Sequence, residues 1–326
     1  MNEPVVGVDP GSELGTSPAT RLELAVGSVV LGQGHAVRCA VATFLAGGHI
    51  LLEDVPGVGK TLFAKALAAG IGATFGRIQG TSDLLPTDLT GVSVFNPEHA
   101  TWSFERGPLF HHVVLVDELN RSTPRTQSAL LEAMGERQVT ADGVSHVLPD
   151  PFVVIATQNP QGDLGTFPLV GGQRDRFMVS LSLGAAPREV EISLVSGSGG
   201  VPALDQLTPV LDPAGWIELK ATIDDTYADP VVLEYAVDLV ATVRSVLGGW
   251  TPSTRATLDL VRFAKAHAVV CGRDYVTPDD VQTGAVPVLA HRVLDATHAD
   301  LRAARMLVHD AMTNRIAPPT RPPYSW

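Results

Sequence analysis

The sequence has few cysteines, few aromatic residues and no long apolar run. Its 326 residues include two cysteines, Cys39 and Cys271, and 6% Phe, Trp and Tyr. Two cysteines give neither a disulfide framework nor a cysteine-rich metal site, and they favour a reducing compartment, so we expect a cytoplasmic protein. No apolar stretch is long enough to cross a membrane, so membrane insertion is not expected. The N-terminus carries acids and lacks the basic and then apolar pattern of a secretory signal.

Positive charge is also scarce. The chain has 23 Lys and Arg against 35 Asp and Glu, a net charge of −12. Proteins that bind nucleic acid neutralise its phosphates with lysine and arginine, so this balance argues against a nucleic-acid partner. A hydrophobic content of 45% with 18% charged residues is typical of a compact globular chain. The length is sufficient for two domains.

A glycine-rich loop ends in a lysine and a threonine. Gly57 and Gly59 allow backbone conformations in which successive N–H groups point at phosphate oxygens. A segment rich in helix formers follows, so the dipole of a helix N-terminus adds to the attraction. Lys60 would reach the β- and γ-phosphates of ATP, and the Thr61 hydroxyl would bind Mg²⁺. The predicted ATP-binding loop comprises Asp54, Val55, Pro56, Gly57, Val58, Gly59, Lys60, Thr61 and Leu62, with Asp54 where the strict pattern has glycine.

Polar residues also follow two later apolar strands. Val113–Val116 has the unbroken apolar pattern of a buried parallel strand, and it runs into Asp117 and Glu118. Asp117 is placed to hold Mg²⁺, and Glu118 to deprotonate the attacking water. The apolar residues 152–157 then lead to Asn159, whose amide could sense the γ-phosphate. The sequence therefore predicts ATP and Mg²⁺ as cofactors, and ATP hydrolysis as the reaction.

The order of these segments predicts the fold class. Strands alternate with helical stretches, which indicates an α/β fold with a parallel sheet covered by helices on both faces. Beyond a Gly- and Ser-rich stretch the apolar residues recur at helical spacing. The expected boundaries are a disordered segment 1–18, a core 19–195 with a hairpin insertion near 84–107, a flexible linker 196–204, a helical lid 205–315 and a Pro-rich tail 316–326.

Longer strings in the chain resemble the MoxR-type AAA+ ATPases. They are Gly57–Thr61, Asp117–Arg121, Ala156–Pro160 and Asp175–Phe177, together with residues 126–140 and 272–281. The likeness runs from about Val29 to about Arg292 and so covers most of the chain. It implies a P-loop AAA+ core followed by a smaller all-helical lid domain, and a homo-oligomeric ring of six subunits.

The resemblance also implies roles for individual residues. Gly32 and Gln33 match the segment that borders the adenine pocket, and Asn159 matches the first sensor. Arg176 matches the arginine finger, which acts on ATP held by the neighbouring subunit. Arg255 matches the second sensor, in the helical lid. Both roles suit arginine, because its planar fork pairs with phosphate oxygens and keeps its charge.

Several positions depart from the family pattern. Arg174 stands where the family usually has an apolar residue, and it competes with Arg176 for the role of the finger. Gly80 replaces a usual aromatic residue. The remaining departures, where acidic residues or alanine are frequent in the family, are Gly162, Leu164, Gly171 and Gly172. They leave the predicted hydrolytic residues intact but leave the subunit contact undefined.

Three functions are compatible with these residues. The leading one is an ATP-driven chaperone that matures or activates client proteins, often ones with von Willebrand factor A domains. A nucleic-acid motor is opposed by the acidic charge, and the hairpin Val92–Arg106 carries two acids against one basic residue. A nucleotide-gated scaffold without turnover is opposed by the set Glu118, Asn159 and Arg176. The hairpin tip either projects toward the channel of a ring or closes over the core.

Overall fold

The structure is a computed structural model that describes residues 17–159, 165–197, 200–247, 252–293 and 300–319. The expected disordered segment lies outside these residues apart from its last two. Of those two, Ser17 caps the first helix by accepting the N–H of Thr20. Gly162 and Leu164 also lie outside the described residues.

The core is a five-stranded parallel sheet with two separate hairpins. The strands are β1 (Ile50–Glu53), β2 (Phe75–Gln79), β3 (Gly91–Asn96), β4 (Thr101–Arg106), β5 (Val113–Asp117), β6 (Gln138–Ala141), β7 (Val144–Val147), β8 (Val153–Gln158) and β9 (Val179–Leu181). The sheet order is β2-β5-β8-β1-β9, which places β8 between β1, the strand before the glycine-rich loop, and β5, the strand that ends at Asp117.

Helices cover the sheet and then continue alone. The core helices are α1 (Pro18–Val29), α2 (Gly34–Leu45), α3 (Lys60–Gly70), α4 (Pro86–Thr90), α5 (Pro124–Glu136), α6 (Gly171–Arg174) and α7 (Arg188–Val195). The later helices are α8 (Val201–Asp205), α9 (Pro213–Asp225), α10 (Pro230–Leu247), α11 (Thr254–Val270), α12 (Pro278–Leu289) and α13 (Leu301–Asp310). The predicted architecture, an α/β core with a helical lid, is therefore confirmed.

Side chains alternate between the two faces of the sheet along each strand, and helices cover both faces. On one face Leu115 and Ile155 join a core that includes α1, α2 and α3. On the other face Val114 and Val154 pack against the buried side of α5. Burial on both faces explains why these strands are apolar without alternation in the sequence.

The lid packs against the core through an extensive apolar contact. Trp216 of α9 is fully buried and lies 4.5 Å from Phe44 of α2, measured between ring centroids. Helix α11 also contacts α2, and its terminal carbonyl at Val270 accepts a hydrogen bond from Thr20. The same hydrophobic cluster continues from the sheet into α10, α11 and α12. The lid is therefore seated on the α1–α2 side of the sheet.

A local sequence signal accounts for the turn between β6 and β7. Asp142 and Gly143 both have positive φ, 50° and 77°, which is the conformation of a two-residue turn between β6 and β7. Within 196–204, where the sequence predicts a flexible linker, the described residues include the short helix α8. Pro202 lies in the first turn of this helix, a position where proline is favoured. No helix in the described ranges combines the length and hydropathy needed to span a membrane.

Candidate functional site

A cleft of about 570 Å³ lies at the carboxyl ends of the central strands. Ligands bind in this place in open α/β sheets, because loops from neighbouring strands diverge there. Glycine-rich loop residues, strand-end residues from β2, β5 and β8, and one face of α8 form its walls. The lining residues are Pro56, Gly57, Gly59, Lys60, Thr61, Leu62, Lys65, Arg77, Gln79, Asp117, Glu118, Thr157, Asn159, Val201, Leu204 and Asp205.

The glycine-rich loop has the geometry of a phosphate cradle. Gly57 and Gly59 have φ of 89° and 92°, values that side chains with a Cβ rarely adopt. A Cβ built at either glycine would have no atom within 4 Å, so the space above the loop is open. Helix α3 begins at Lys60, directly after the loop. Lys60 Nζ donates to the carbonyl oxygens of Asp54 and Val55, at 2.7 and 3.2 Å, so the ammonium lies beside the loop.

Asp54 anchors one end of this loop and its carboxylate does not line the cleft. Its side chain is buried and accepts hydrogen bonds from Ser182 Oγ at 2.6 Å, Leu183 N at 2.7 Å and Gly184 N at 3.2 Å. These three donors belong to the segment that follows β9. The aspartate that departs from the strict glycine pattern thus ties the start of the loop to the neighbouring strand.

Asp117 is held by Arg77, which is not among the predicted site residues. Arg77 of β2 donates to Asp117 Oδ2 from Nε at 2.9 Å and from Nη2 at 2.8 Å. Thr157 Oγ1 donates to Asp117 Oδ1 at 3.3 Å and accepts the N–H of Glu118 at 2.8 Å. The carboxylate is thereby fixed at the floor of the cleft. Arg77 and Gln79 alternate with apolar Ile78 along β2, a pattern that could have identified them.

Glu118 is oriented by two polar side chains and by its own backbone. Its Oε2 lies 3.1 Å from Gln79 Nε2 and 3.1 Å from Arg121 Nη1. Its φ of 54° is left-handed, which turns the chain sharply after β5. Gly80 packs against this turn, because a Cβ there would lie 2.3 Å from the carbonyl oxygen of Glu118. Gly80 therefore permits the close approach of the segment after β2 to the turn after β5.

These residues fit a nucleoside triphosphate with Mg²⁺. The open cradle and the helix N-terminus suit phosphate oxygens, and Thr61 and Asp117 supply a hydroxyl and a carboxylate to the same cleft. Mg²⁺ usually has only one or two carboxylate ligands and takes the rest from phosphate and water. Among the described residues there is no cluster of three or more His, Cys, Asp or Glu that could form an all-protein metal site.

The structure separates some of the predicted nucleotide residues from the cleft. Asn159 lines it, but Gly32 and Gln33 do not. Gly32 lies against the start of α7, where a Cβ would be 2.9 Å from the side chain of Pro187. Helix α8, in the predicted linker, supplies a wall of the cleft through Val201 and Leu204. This wall was not expected, because the Gly- and Ser-rich residues 196–204 predict a flexible linker.

Arg255 and Arg176 lie together in a second pocket, not in the cleft. Arg176 Nη1 donates to the carbonyl of Leu131 at 2.8 Å. Arg174, its competitor for the role of the finger, points elsewhere and donates to the carbonyl of Leu169 at 2.8 Å. Because the lid sits on the α1–α2 side of the sheet, Arg255 of α11 does not reach the cleft of its own subunit. Arg255, predicted as the second sensor in the lid, therefore lines the second pocket of its own subunit.

Comparisons with known proteins agree with an α/β core followed by a helical lid. The family model for the "ATPase family associated with various cellular activities (AAA)" matches residues 49–179, and a model for the AAA lid domain matches residues 250–310. The uncharacterized protein YeaC of Bacillus subtilis is 43% identical over 272 residues, covering 82% of this chain and 84% of that protein.

Two further relatives cover most of both chains. Chaperone MoxR1 of Mycobacterium tuberculosis is 35% identical over 300 residues, covering 89% of this chain and 76% of that protein. The crystal structure of a candidate ATPase from Cytophaga hutchinsonii superposes with a TM-score of 0.81 at 33% identity, covering 93% of this chain and 95% of that one. The chain therefore belongs to the MoxR-type family of AAA+ ATPases.

Proposed function

We propose that this chain hydrolyses ATP with Mg²⁺ and uses the reaction to remodel client proteins. The observation that carries the proposal is the convergence of Lys60, Thr61, Asp117, Glu118 and Asn159 on one cleft at the carboxyl edge of the sheet. These groups come from three adjacent strands, and together they provide phosphate binding, metal binding and a base. Membership of an ATPase family supports the same activity.

Each group of residues has its own role in phosphoryl transfer to water. Loop amides and Lys60 hold the β- and γ-phosphates, and Thr61 and Asp117 would hold Mg²⁺, which neutralises charge on the transferred group. Glu118 accepts a proton from the water as its oxygen attacks the γ-phosphorus. The bond to the β–γ bridging oxygen breaks, which releases ADP and phosphate. Gln79 and Arg121 keep the Glu118 carboxylate in place, and Asn159 positions the γ-phosphate and the water.

The arginine finger must come from another copy of the chain. Arg176 and Arg255 share a pocket that is separate from the cleft, so neither reaches the nucleotide bound by its own subunit. In a ring, each subunit presents this pocket to the cleft of its neighbour. A homo-oligomeric ring of six subunits provides this arrangement, and the resemblance to AAA+ proteins supports it.

The proposal that ATP hydrolysis drives the remodelling of client proteins is inferred from the relatives. One of them is named a chaperone and covers most of this chain at 35% identity. We accordingly propose client proteins as substrates of the assembled ring, with von Willebrand factor A domains as the first class to test. Retention of such a domain by the Glu118→Gln variant with ATP, and its release with ADP, would support this part of the proposal.

The ATPase proposal is tested by specific activity over a wide range of protein concentration, with Arg176→Ala and Arg174→Ala measured alongside. We expect activity per subunit to rise with concentration in the wild type and in Arg174→Ala, and to be lost in Arg176→Ala. Activity that is independent of concentration and survives Arg176→Ala would refute the assignment of the finger. Absence of ATP hydrolysis at every concentration, with and without client, would refute the proposed enzyme activity.

A further inference from the structure

The second pocket lies between the core and the lid, and arginines dominate its lining. Its volume is about 170 Å³. Arg137 and Arg176 enter it from the core, and Arg255 and Arg262 enter it from α11 of the lid. Four guanidinium groups around one small cavity are unusual in a chain whose net charge is −12. Two of them, Arg137 and Arg262, have no role in the functions assigned above.

The charge of this pocket is not balanced by the protein. Its lining contains one carboxylate, Asp259, and that group already forms a salt bridge with the buried Arg292. His49 contributes no charge at neutral pH, because burial, with the charges of Arg137 and Arg255, lowers its pKa to about 3. Across the described ranges, none of the four lining arginines forms a salt bridge.

The guanidinium groups are positioned to accept a shared anion. Arg137 Nη2 donates to the carbonyl of Gly47 at 2.9 Å, and Arg176 is held by one carbonyl of α5. Each of these contacts uses one of five N–H donors, so the rest of the fork remains available. Arg255 and Arg262 are seven positions apart on α11 and therefore lie on the same face of that helix.

The size of the cavity limits what it can hold. Sites for whole cofactors and similar ligands measure about 300–1,000 Å³, so a pocket of about 170 Å³ is too small for a complete nucleotide. It has room for a phosphate group, or for the end of a triphosphate that enters from outside. Arginine forks match phosphate oxygens in pairs, and a doubly charged anion would neutralise part of the cluster.

We propose that Arg137 and Arg262 complete, with Arg176 and Arg255, a site for a phosphate anion, and that in the assembled ring this anion is the terminal phosphate of ATP bound to the neighbouring subunit. This inference rests on the proposed function for the source of the phosphate, whereas phosphate binding itself does not require hydrolysis. Arg137 anchors the anion to the core and Arg262 anchors it to the lid, so the anion joins the two domains.

The first experiment tests the anion site without ATP turnover. Inorganic pyrophosphate is titrated by calorimetry into the full-length Lys60→Ala variant, in which the loop lysine of the cleft is absent. We expect binding to persist in this background and to weaken about tenfold or more when Arg137→Gln or Arg262→Gln is added. Arg302→Gln, an exposed lid arginine outside the pocket, is the matched control and should leave binding unchanged. Arg262→Lys should restore only part of the affinity, because it keeps the charge but loses the fork.

The second experiment identifies the source of the phosphate. Arg262→Gln subunits have intact clefts. Lys60→Ala subunits have a disabled cleft, but their second pocket, here called the arginine pocket, is intact. If the pocket serves the neighbour's nucleotide, mixing the two variants restores ATPase activity above the sum of the separate preparations. Pyrophosphate binding without such rescue would assign the pocket to free phosphate and overturn the proposed source.

Two further results separate the inference from the function on which it rests. Pyrophosphate affinity that is unchanged by Arg137→Gln and by Arg262→Gln would overturn the anion site, even if Arg176→Ala abolished hydrolysis. Lack of hydrolysis by the wild type would refute the proposed function, while arginine-dependent pyrophosphate binding would still establish the anion site. Thermal unfolding of each variant confirms that a lost signal does not arise from unfolding, and Arg262 is exposed enough to be replaced without loss of core packing.

Discussion

Replacement of Asp54 by glycine restores the strict glycine-rich loop pattern, and we nevertheless predict that it harms the protein. The Asp54 carboxylate is buried and accepts three hydrogen bonds from Ser182, Leu183 and Gly184. It has no part in the lining of the cleft. The substitution therefore removes an anchor of the loop and adds nothing to phosphate binding.

The magnitude follows from the groups left without a partner. A hydrogen bond to a charged acceptor contributes about 1.5–3 kcal/mol, and a buried donor without a partner costs about 1–3 kcal/mol. Two of the three donors are backbone N–H groups, for which glycine has no side-chain acceptor to replace the carboxylate, and water entering the space recovers part of the loss. We estimate that Asp54→Gly lowers the free energy of unfolding of the core by about 3 kcal/mol. Asp54→Asn keeps an acceptor oxygen and should lose about 1 kcal/mol.

Denaturation in urea and hydrogen exchange measured by mass spectrometry together check this estimate. We expect the unfolding midpoint of the core to fall in the order wild type, Asp54→Asn, Asp54→Gly. Amide exchange should accelerate in peptides that contain Leu183 and Gly184, while peptides from the lid helix α12 serve as the internal control. ATP affinity should not improve. An Asp54→Gly protein with the wild-type midpoint and unchanged exchange at these two amides would refute the reasoning.

Three further predictions concern the cleft and the lid. Glu118→Gln should bind ATP normally and hydrolyse it about 10²–10³ times more slowly, and near-normal turnover would contradict its role as base. Arg77→Gln should lower the Mg²⁺ concentration for half-maximal ATPase activity about threefold, because Asp117 Oδ2 no longer shares its charge with a guanidinium; an unchanged Mg²⁺ titration would contradict this. Burial alone would raise the pKa of the Asp280 carboxyl, but hydrogen bonds from Arg273, His267 and Thr277 outweigh it and lower the pKa below its usual value. Its stabilisation is therefore present above the unfolded pKa near 3.9 and is lost as pH falls toward the lower folded pKa. Asp280→Asn should cost about 3 kcal/mol at pH 7, and that difference should shrink below about pH 4 in denaturation measurements.

Most of the fold could be predicted from the sequence, because the patterns that indicate strands, helices and turns are local. The apolar runs at 113–116 and 152–157 became β5 and β8, since continuous apolar runs are typical of strands that are buried on both faces. The turn between β6 and β7 followed from Asp142 and Gly143, whose positive φ values few other residues accept. Helix α8 escaped prediction because a five-residue helix has too few residues to show a periodic pattern.

The candidate site was predictable where one motif supplies the chemistry and unpredictable where distant elements meet. The loop is one continuous segment, and so is the Asp117–Glu118 pair. Each directly follows an apolar strand, which predicts its place at the carboxyl edge of the sheet. The contact of Arg77 with Asp117 depends instead on the pairing of β2 with β5, which brings residues 40 positions apart together. The hydrogen bonds of Asp54 also depend on strand pairing, because their three donors lie about 130 residues later in the chain, beyond β9. The residue pattern of one strand predicts neither of these side-chain contacts.

The position of the lid changes how a nucleotide signal could be transmitted. A lid that closed over its own cleft would have to leave the α1–α2 surface and expose Trp216 and Phe44, which are now buried against each other. That movement costs apolar burial on the order of several kcal/mol. The arginine pocket offers another route, because it takes Arg137 from the core and Arg262 from the lid. A phosphate held by both would fix the angle between the two domains of one subunit according to the nucleotide of the next. Hydrolysis in one cleft would then remove the phosphate that links Arg137 to Arg262 in the neighbour, while the buried α2–α9 contact stays closed.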